Sequence, residues 1–355
     1  MKNDLLEILA CPCCPDSSLN LRVFKQERDE IFSGELRCSA CNEIYPIREG
    51  IPMMIPRLQK DPQGELNLKH CEVREANITY YDSVAEVYEN EIEQAVHQSE
   101  LNQRRMDQMV KSLAEKTQKE LFLDLGCGTG NILKFGKKYF RRAVGIDISF
   151  NMLKQAKRNN LEVIQADTLF LPFKSSLFDV VSIFSVLHHI YDYNSVFNQI
   201  QRVLKKGGYL YSDWDPTKKP SPDETKISWR IYQLVHTLFS FFRPVRDKIR
   251  SISRADDPQK APIDFLKIRP DLKEINTKAE FHNMTKEKER GIDFDALEKS
   301  LIENDFINIQ PTFHWSGKSI GQLSLPLRTR FFFLRFQDYP IERFMENIMI
   351  VTQKK

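Results

Sequence analysis

Three glycines at alternate positions close an apolar run in Leu123-Asp124-Leu125-Gly126-Cys127-Gly128-Thr129-Gly130. Glycine lets the backbone approach a ligand closely. The helix-compatible segment that follows, Asn131 to Phe140, offers unpaired N–H groups at its start. A dinucleotide fingerprint would carry another glycine where Asn131 stands. Asp124 would repel a pyrophosphate but suits a sulfonium or an amino group. Asp147 follows the glycines by about 20 residues, at the end of the next apolar segment, where an acid can accept hydrogen bonds from both ribose hydroxyls. Asp167 ends a third such segment and can accept from an adenine amino group. Three acids around a glycine loop fit a cationic adenosyl ligand.

A second cluster lies near the start of the chain. Cys11 and Cys14, then Cys38 and Cys41, form two C-x2-C pairs separated by 23 residues. Two tight turns that each present two thiolates complete a tetrahedral Zn2+ site, and four protein ligands make such a metal structural. Cys13 is an alternative ligand beside Cys14, and a redox dithiol is an alternative use of the pairs. Equal knuckle spacing favours Cys11 and Cys14.

The 355 residues suffice for about two domains. A hydrophobic fraction of 41% supports a packed core, and a net charge of +3 does not suggest wholesale nucleic-acid coating. No apolar run approaches the roughly 18 residues needed to span a bilayer. The segment Met1-Lys2-Asn3-Asp4-Leu5-Leu6-Glu7 is too acidic for a signal peptide, so the expected location is cytoplasmic. The seven cysteines then read as thiols or metal ligands.

The elements that must position these residues alternate. Leu121–Leu125, Ala143–Asp147, Val163–Ala166, Phe178–Phe184 and Gly208–Ser212 read as strands. Met152–Asn159 and Asn194–Lys206 read as helices, with Gly207 capping the second. This alternation predicts an open parallel sheet covered on both faces, with ligands at the carboxyl ends of the strands. Residues 57–77 read as a polar linker, and Ile78 to about Leu113 as an amphipathic helical stretch.

These motifs resemble the class I S-adenosylmethionine-dependent methyltransferases, in particular those of the quinone-pathway type. The glycine loop is similar to their first motif and Gly145-Ile146-Asp147-Ile148-Ser149 to the second. Gln165-Ala166-Asp167 with Leu171-Pro172-Phe173 resembles the third, and Phe178 to Ile190 the fourth strand with the loop beyond it. The resemblance implies an α/β, Rossmann-like seven-stranded sheet over residues 78–355. Asp293–Asn304 would supply the last helix, Phe306–Gln310 the sixth strand and Asn347–Gln353 the seventh. It implies that S-adenosyl-L-methionine meets Asp124, Gly126, Cys127, Gly128, Gly130, Asp147, Ile148, Asp167, Thr168 and Ser185. Tyr80 to Tyr88 resembles a helix that covers the cofactor, which makes Tyr81 and Tyr88 lid contacts; ordinary packing is the alternative. Residues 1–56, with Leu5 to Pro12 and Ile44 to Pro52, resemble the Trm112-like zinc ribbons, a family of methyltransferase scaffolds.

His188 and His189 stand just beyond the fourth strand, near where a methyl acceptor would sit. Either can serve as a general base, or both can merely orient the loop. Substrate choice is expected in two insertions, at about 216–283 and 312–343. The first carries Ile227, Ile231, Leu234, Val235, Leu238 and Phe242 at helical spacing, with nine basic residues against three acids over 218–254. It reads as a helical lid, a peripheral membrane contact or an RNA contact. Arg328 to Phe336 mixes arginines and aromatics in the same way. The leading reading is methyl transfer to a small, hydrophobic metabolite. An RNA methyltransferase and a non-catalytic partner-binding protein are the alternatives.

Overall fold

The computed structural model describes residues 1–57, 65–88, 100–190, 192–216, 291–314 and 347–355. Most of both expected insertions, including the 227–242 stripe and the 328–336 segment, lies outside the described residues.

Every residue of β5 (Leu121–Leu125) is buried, as is every residue of β8 (Phe178–Phe184). Such continuous apolar runs suit strands covered on both faces. Around them a seven-stranded sheet forms in the order β10-β11-β9-β8-β5-β6-β7, with β6 at Arg142–Asp147, β7 at Glu162–Gln165 and β9 at Leu204–Pro216. β5 pairs in parallel with β6 and β8, and these pair in parallel with β7 and β9. The last strand, β11 (Asn347–Lys354), inserts antiparallel between β9 and β10 (Phe306–His314). The expected seven-stranded α/β sheet is therefore present.

Helices α3 (Leu133–Tyr139), α4 (Phe150–Arg158), α5 (Tyr193–Val203) and α6 (Phe294–Glu303) cover the sheet. Three have side-chain caps: Ser149 accepts from the Met152 amide, Asp192 from Ser195, and Asp293 from Asp295 and Ala296.

Four expectations are corrected. Helix α5 ends at Val203, and Leu204 to Lys206 already belong to β9. Gly207, with φ +75°, therefore bends the start of a strand rather than capping a helix. The helix after the glycine loop begins at Leu133, two residues later than expected. β10 runs on to His314, so the second insertion starts inside a strand. Most consequentially, a helix, α1 (Glu65–Val84), occupies much of the stretch read as linker. Its buried positions His70, Val73, Asn77, Tyr80 and Val84 keep helical spacing, but two are polar, which hides the periodicity from a hydrophobic pattern. A separate helix, α2 (Glu100–Glu115), follows.

The N-terminal unit is a four-stranded antiparallel sheet of β1 (Leu19–Glu27), β2 (Glu30–Cys38), β3 (Ile44–Arg48) and β4 (Ile51–Pro52). It docks on the outer edge of the large sheet. Met53 bridges Gln165 in parallel, and the Met54 amide donates to the Gln165 carbonyl at 2.7 Å. On the same side Ala10 N donates to Pro172 O at 3.0 Å, and Lys174 N to Ile8 O at 3.1 Å. Leu5, Leu9, Leu36, Tyr45 and Ile47 share one apolar core with Leu171 and Phe173. Arg142 bridges the two units by pairing with Asp4 and Glu162.

Candidate active site and cysteine cluster

The carboxyl ends of β5, β6, β7 and β8 converge on one pocket, roofed by α1. Tyr81, Tyr88, Asp124, Gly126, Cys127, Gly128, Asp147, Ile148, Asp167, Thr168, Ser185 and His189 all line it. Gly130 and His188 do not.

Each glycine of the loop has a separate reason to lack a side chain. All three have positive φ: +63° at Gly126, +52° at Gly128 and +100° at Gly130. A Cβ at Gly126 would lie 2.4 Å from Val186 Cγ2, and one at Gly130 would lie 2.1 Å from Leu161 Cδ1. A Cβ at Gly128 would meet nothing within 4 Å. It would stand in the pocket itself, so the loop leaves ligand space there.

The acids are held by donors that fix their direction. Asp147 accepts from the Gly128 and Ser149 amides, each at 2.8 Å, which ties the ends of β5 and β6 together. Asp124 accepts from Ser182 Oγ at 2.6 Å. Burial raises Asp147 from 3.8 to about 6 and Asp124 to about 7, where the nearby Asp147 charge adds to the effect. Two raised carboxyls in one pocket favour a ligand that brings positive charge and hydrogen-bond donors. Asp167 accepts from the Leu169 amide at 3.0 Å and pairs with His70 Nε2 at 2.7 Å.

Beyond β8 the two histidines part. His189 faces the pocket, and its Nε2 lies 2.9 Å from the Tyr81 hydroxyl. His188 turns away, with Nδ1 at 2.9 Å from Asp215 Oδ1 and its amide at 3.2 Å from the same oxygen. The two rings stay 4.0 Å apart between centroids, so Asp215 anchors the wall on which His189 sits. Ser185 and Trp214, at the ends of β8 and β9, have φ of +57° and +64°. Non-glycine residues in this region store strain, a frequent mark of functional sites.

Three polar pocket residues on α1, His70, Arg74 and Asn77, have no counterpart in the sequence reading. Their spacing with Tyr81 puts one stripe across the roof, a signal legible only once the helix is known to begin at Glu65.

At the N-terminal unit the sulfurs of Cys11, Cys14, Cys38 and Cys41 lie within 4.8 Å of one another, and Cys11 to Cys41 is 3.7 Å. A tetrahedron with metal–sulfur bonds of about 2.3 Å has sulfurs about 3.8 Å apart, so the donor set fits Zn2+. Cys38 Sγ lies 3.0 Å from Ser17 Oγ and accepts from the amides of Ala40 and Cys41. Four thiolates this close repel one another, and a divalent cation at their centre removes that penalty. Cys13 is exposed and outside the cluster.

The comparisons with known proteins agree with this geometry. Residues 123–212 match the methyltransferase domain family, and residues 2–50 the Trm112p-like protein family. A demethylmenaquinone methyltransferase of Lactococcus lactis is 32% identical over 181 residues, 48% of this chain and 68% of that protein. An uncharacterized protein of Methanocaldococcus jannaschii is 36% identical over 136 residues, 36% of this chain and 47% of its own length. The chain thus spans about half the length of some relatives it matches. A solved SAM-dependent methyltransferase from Archaeoglobus fulgidus shares 14% identity and a TM-score of 0.40, over 71% of this chain and 94% of that one. Among the described residues no helix is long and apolar enough to cross a membrane. A Rossmann-like sheet of the right strand order, a glycine loop between three strand-end acids and a relative matched over two thirds of its length lead to one conclusion: this chain belongs to the class I S-adenosylmethionine-dependent methyltransferases and carries a Trm112-like domain.

Proposed function

We propose that the chain transfers the methyl group of S-adenosylmethionine to a small, largely apolar metabolite, and that residues 1–56 act as a zinc-stapled scaffold for the domain that does so. When bound, S-adenosylmethionine supplies a methyl group already activated by its positive sulfur. The protein's task is then to position an acceptor and exclude water. In this reading Asp147 holds ribose hydroxyls, Asp167 and Thr168 meet the adenine edge, and Asp124 and Ser185 face the amino-acid end.

The observation that carries the proposal is the Tyr81–His189 pair at the pocket wall. A roof tyrosine bonded to a wall histidine gives the acceptor side both a proton acceptor and a device that holds α1 down. His189 takes the proton that a hydroxyl or enol acceptor loses, and Tyr81 orients the ring. Apolar neighbours such as Phe184, Val186 and Ile190 suit an aromatic or quinone-like ring. Relatives named demethylmenaquinone methyltransferase, including one of Staphylococcus saprophyticus at 30% identity over 57% of its length, support an acceptor of that class.

The test is incubation with methyl-labelled S-adenosylmethionine and either a demethylated quinol or total host RNA. Label in the quinol, abolished by His189→Gln, supports the proposal; label in RNA alone sinks it.

A further inference from the structure

Among the described residues, the roof of the pocket carries one permanent cation. Arg74 lies one turn after His70 and two turns before Tyr81, on the same stripe of α1, and it lines the pocket. Its side chain is only 11% exposed. Nη2 reaches Glu75 at 3.5 Å, but that carboxylate is 65% exposed and sits at the rim, where solvent screens it. Nε and Nη1 are buried and have no hydrogen-bond partner among the described residues. Arginine remains charged at any working pH and presents a planar fork of donors. Buried donors without acceptors are costly, so a fork kept in this condition indicates a ligand group that completes it.

The remaining charged groups of the pocket narrow what that group is. Asp124 and Asp147 stand at the far wall, bonded to Ser182 and to backbone amides, and Asp167 lines the pocket with its Oδ2 paired to His70. Three acids and one arginine match a ligand with several cationic or donor groups and a single anion. S-adenosylmethionine has that composition: a sulfonium, an ammonium, ribose and adenine donors, and one carboxylate.

We propose that Arg74 binds the carboxylate of the cofactor's amino-acid end, so that α1 closes the pocket by charge recognition as well as by packing. This rests on the methyl-transfer reading above. A carboxylate on the methyl acceptor would suit the same fork, and the experiment separates the two sources.

Calorimetry on the full chain compares S-adenosylhomocysteine with 5′-methylthioadenosine, which keeps the adenosine and sulfur but lacks the amino-acid end. Arg74→Gln should weaken S-adenosylhomocysteine roughly 10- to 100-fold, the range of a charged hydrogen bond, and leave methylthioadenosine unchanged. Arg74→Lys should fall between, because the charge remains and the fork is lost. Retained methylthioadenosine binding doubles as proof of folding. Equal losses for both ligands would reduce Arg74 to a packing residue and overturn the inference. Unchanged S-adenosylhomocysteine binding would overturn it too and move the anion to the acceptor. Wild-type chain that binds neither ligand would remove the methyl-transfer reading and the inference with it.

Discussion

The Tyr81 hydroxyl and His189 Nε2 lie 2.9 Å apart, although 108 positions separate the two residues in the chain. The contact joins the roof of the pocket to the loop beyond β8, so in the proposed mechanism chemistry and closure share one hydrogen bond. Replacing His189 by Gln should lower kcat roughly 100-fold or more, in the range of a lost general base. Affinity for S-adenosylhomocysteine should stay within a few-fold. Tyr81→Phe should cost less in kcat, and the double variant should be less impaired than the product of the two single losses. Steady-state kinetics and a double-mutant cycle check this; full additivity would mean that the pair does not act as a unit.

Cofactor affinity should depend on pH in a defined direction. Asp124 and Asp147 are raised by burial to about 7 and about 6 from 3.8. Between those limits the ligand-free fold binds more protons than the unfolded chain. Their contribution to stability is therefore fully present below 3.8 and is lost as pH rises through the folded values. A cationic ligand favours the ionised forms, so binding must release protons and strengthen as pH rises through the same window. Titration of S-adenosylmethionine in buffers of different ionisation heat measures that release. Proton uptake, or affinity that is flat with pH, would contradict the assignment.

The loop glycines separate space needed by the ligand from space needed by the fold. Gly128→Ala meets no atom within 4 Å, so thermal stability should drop only by the strain of positive φ, about 1–2 kcal/mol, while ligand affinity falls. Gly130→Ala drives a methyl into Leu161 and should lower the melting temperature more than Gly128→Ala does. Thermal melts with and without S-adenosylhomocysteine resolve the two. A larger loss of stability at position 128 would reverse the assignment.

Metal analysis should find about one zinc per chain. Cys38→Ser removes a sulfur that Ser17 and two amides already hold in place, and should release the ion. Because Leu9 and Tyr45 share a core with Phe173, the melting of the larger domain should shift down with it. An unshifted melt in metal-free protein would show that the scaffold role is wrong.

The parallel strands and the loop could be read in the sequence because their signals are local. β5 and β8 are short apolar runs, and each loop glycine sits in its own turn. The roof could not be read. The buried face of α1 mixes His70 and Asn77 with Val73 and Tyr80; Asn77 donates to the Val73 carbonyl one turn back, whereas His70 pairs with Asp167, far along the chain. The division of labour between His188 and His189 was equally hidden. Adjacent residues in a 3-10 turn diverge, and Asp215, which captures the first, lies at the end of another strand.

One consequence follows from the bridge between Met53 and Gln165. A sheet edge offers unpaired amides and carbonyls to any strand that arrives, and here a segment of the same polypeptide has taken part of it. Tethering gives that segment an effective concentration that a free chain must exceed to displace it. The ratio of Trm112-like unit to methyltransferase domain is thereby fixed by covalent linkage at one to one. Expression level and dilution cease to regulate the assembly of the two units.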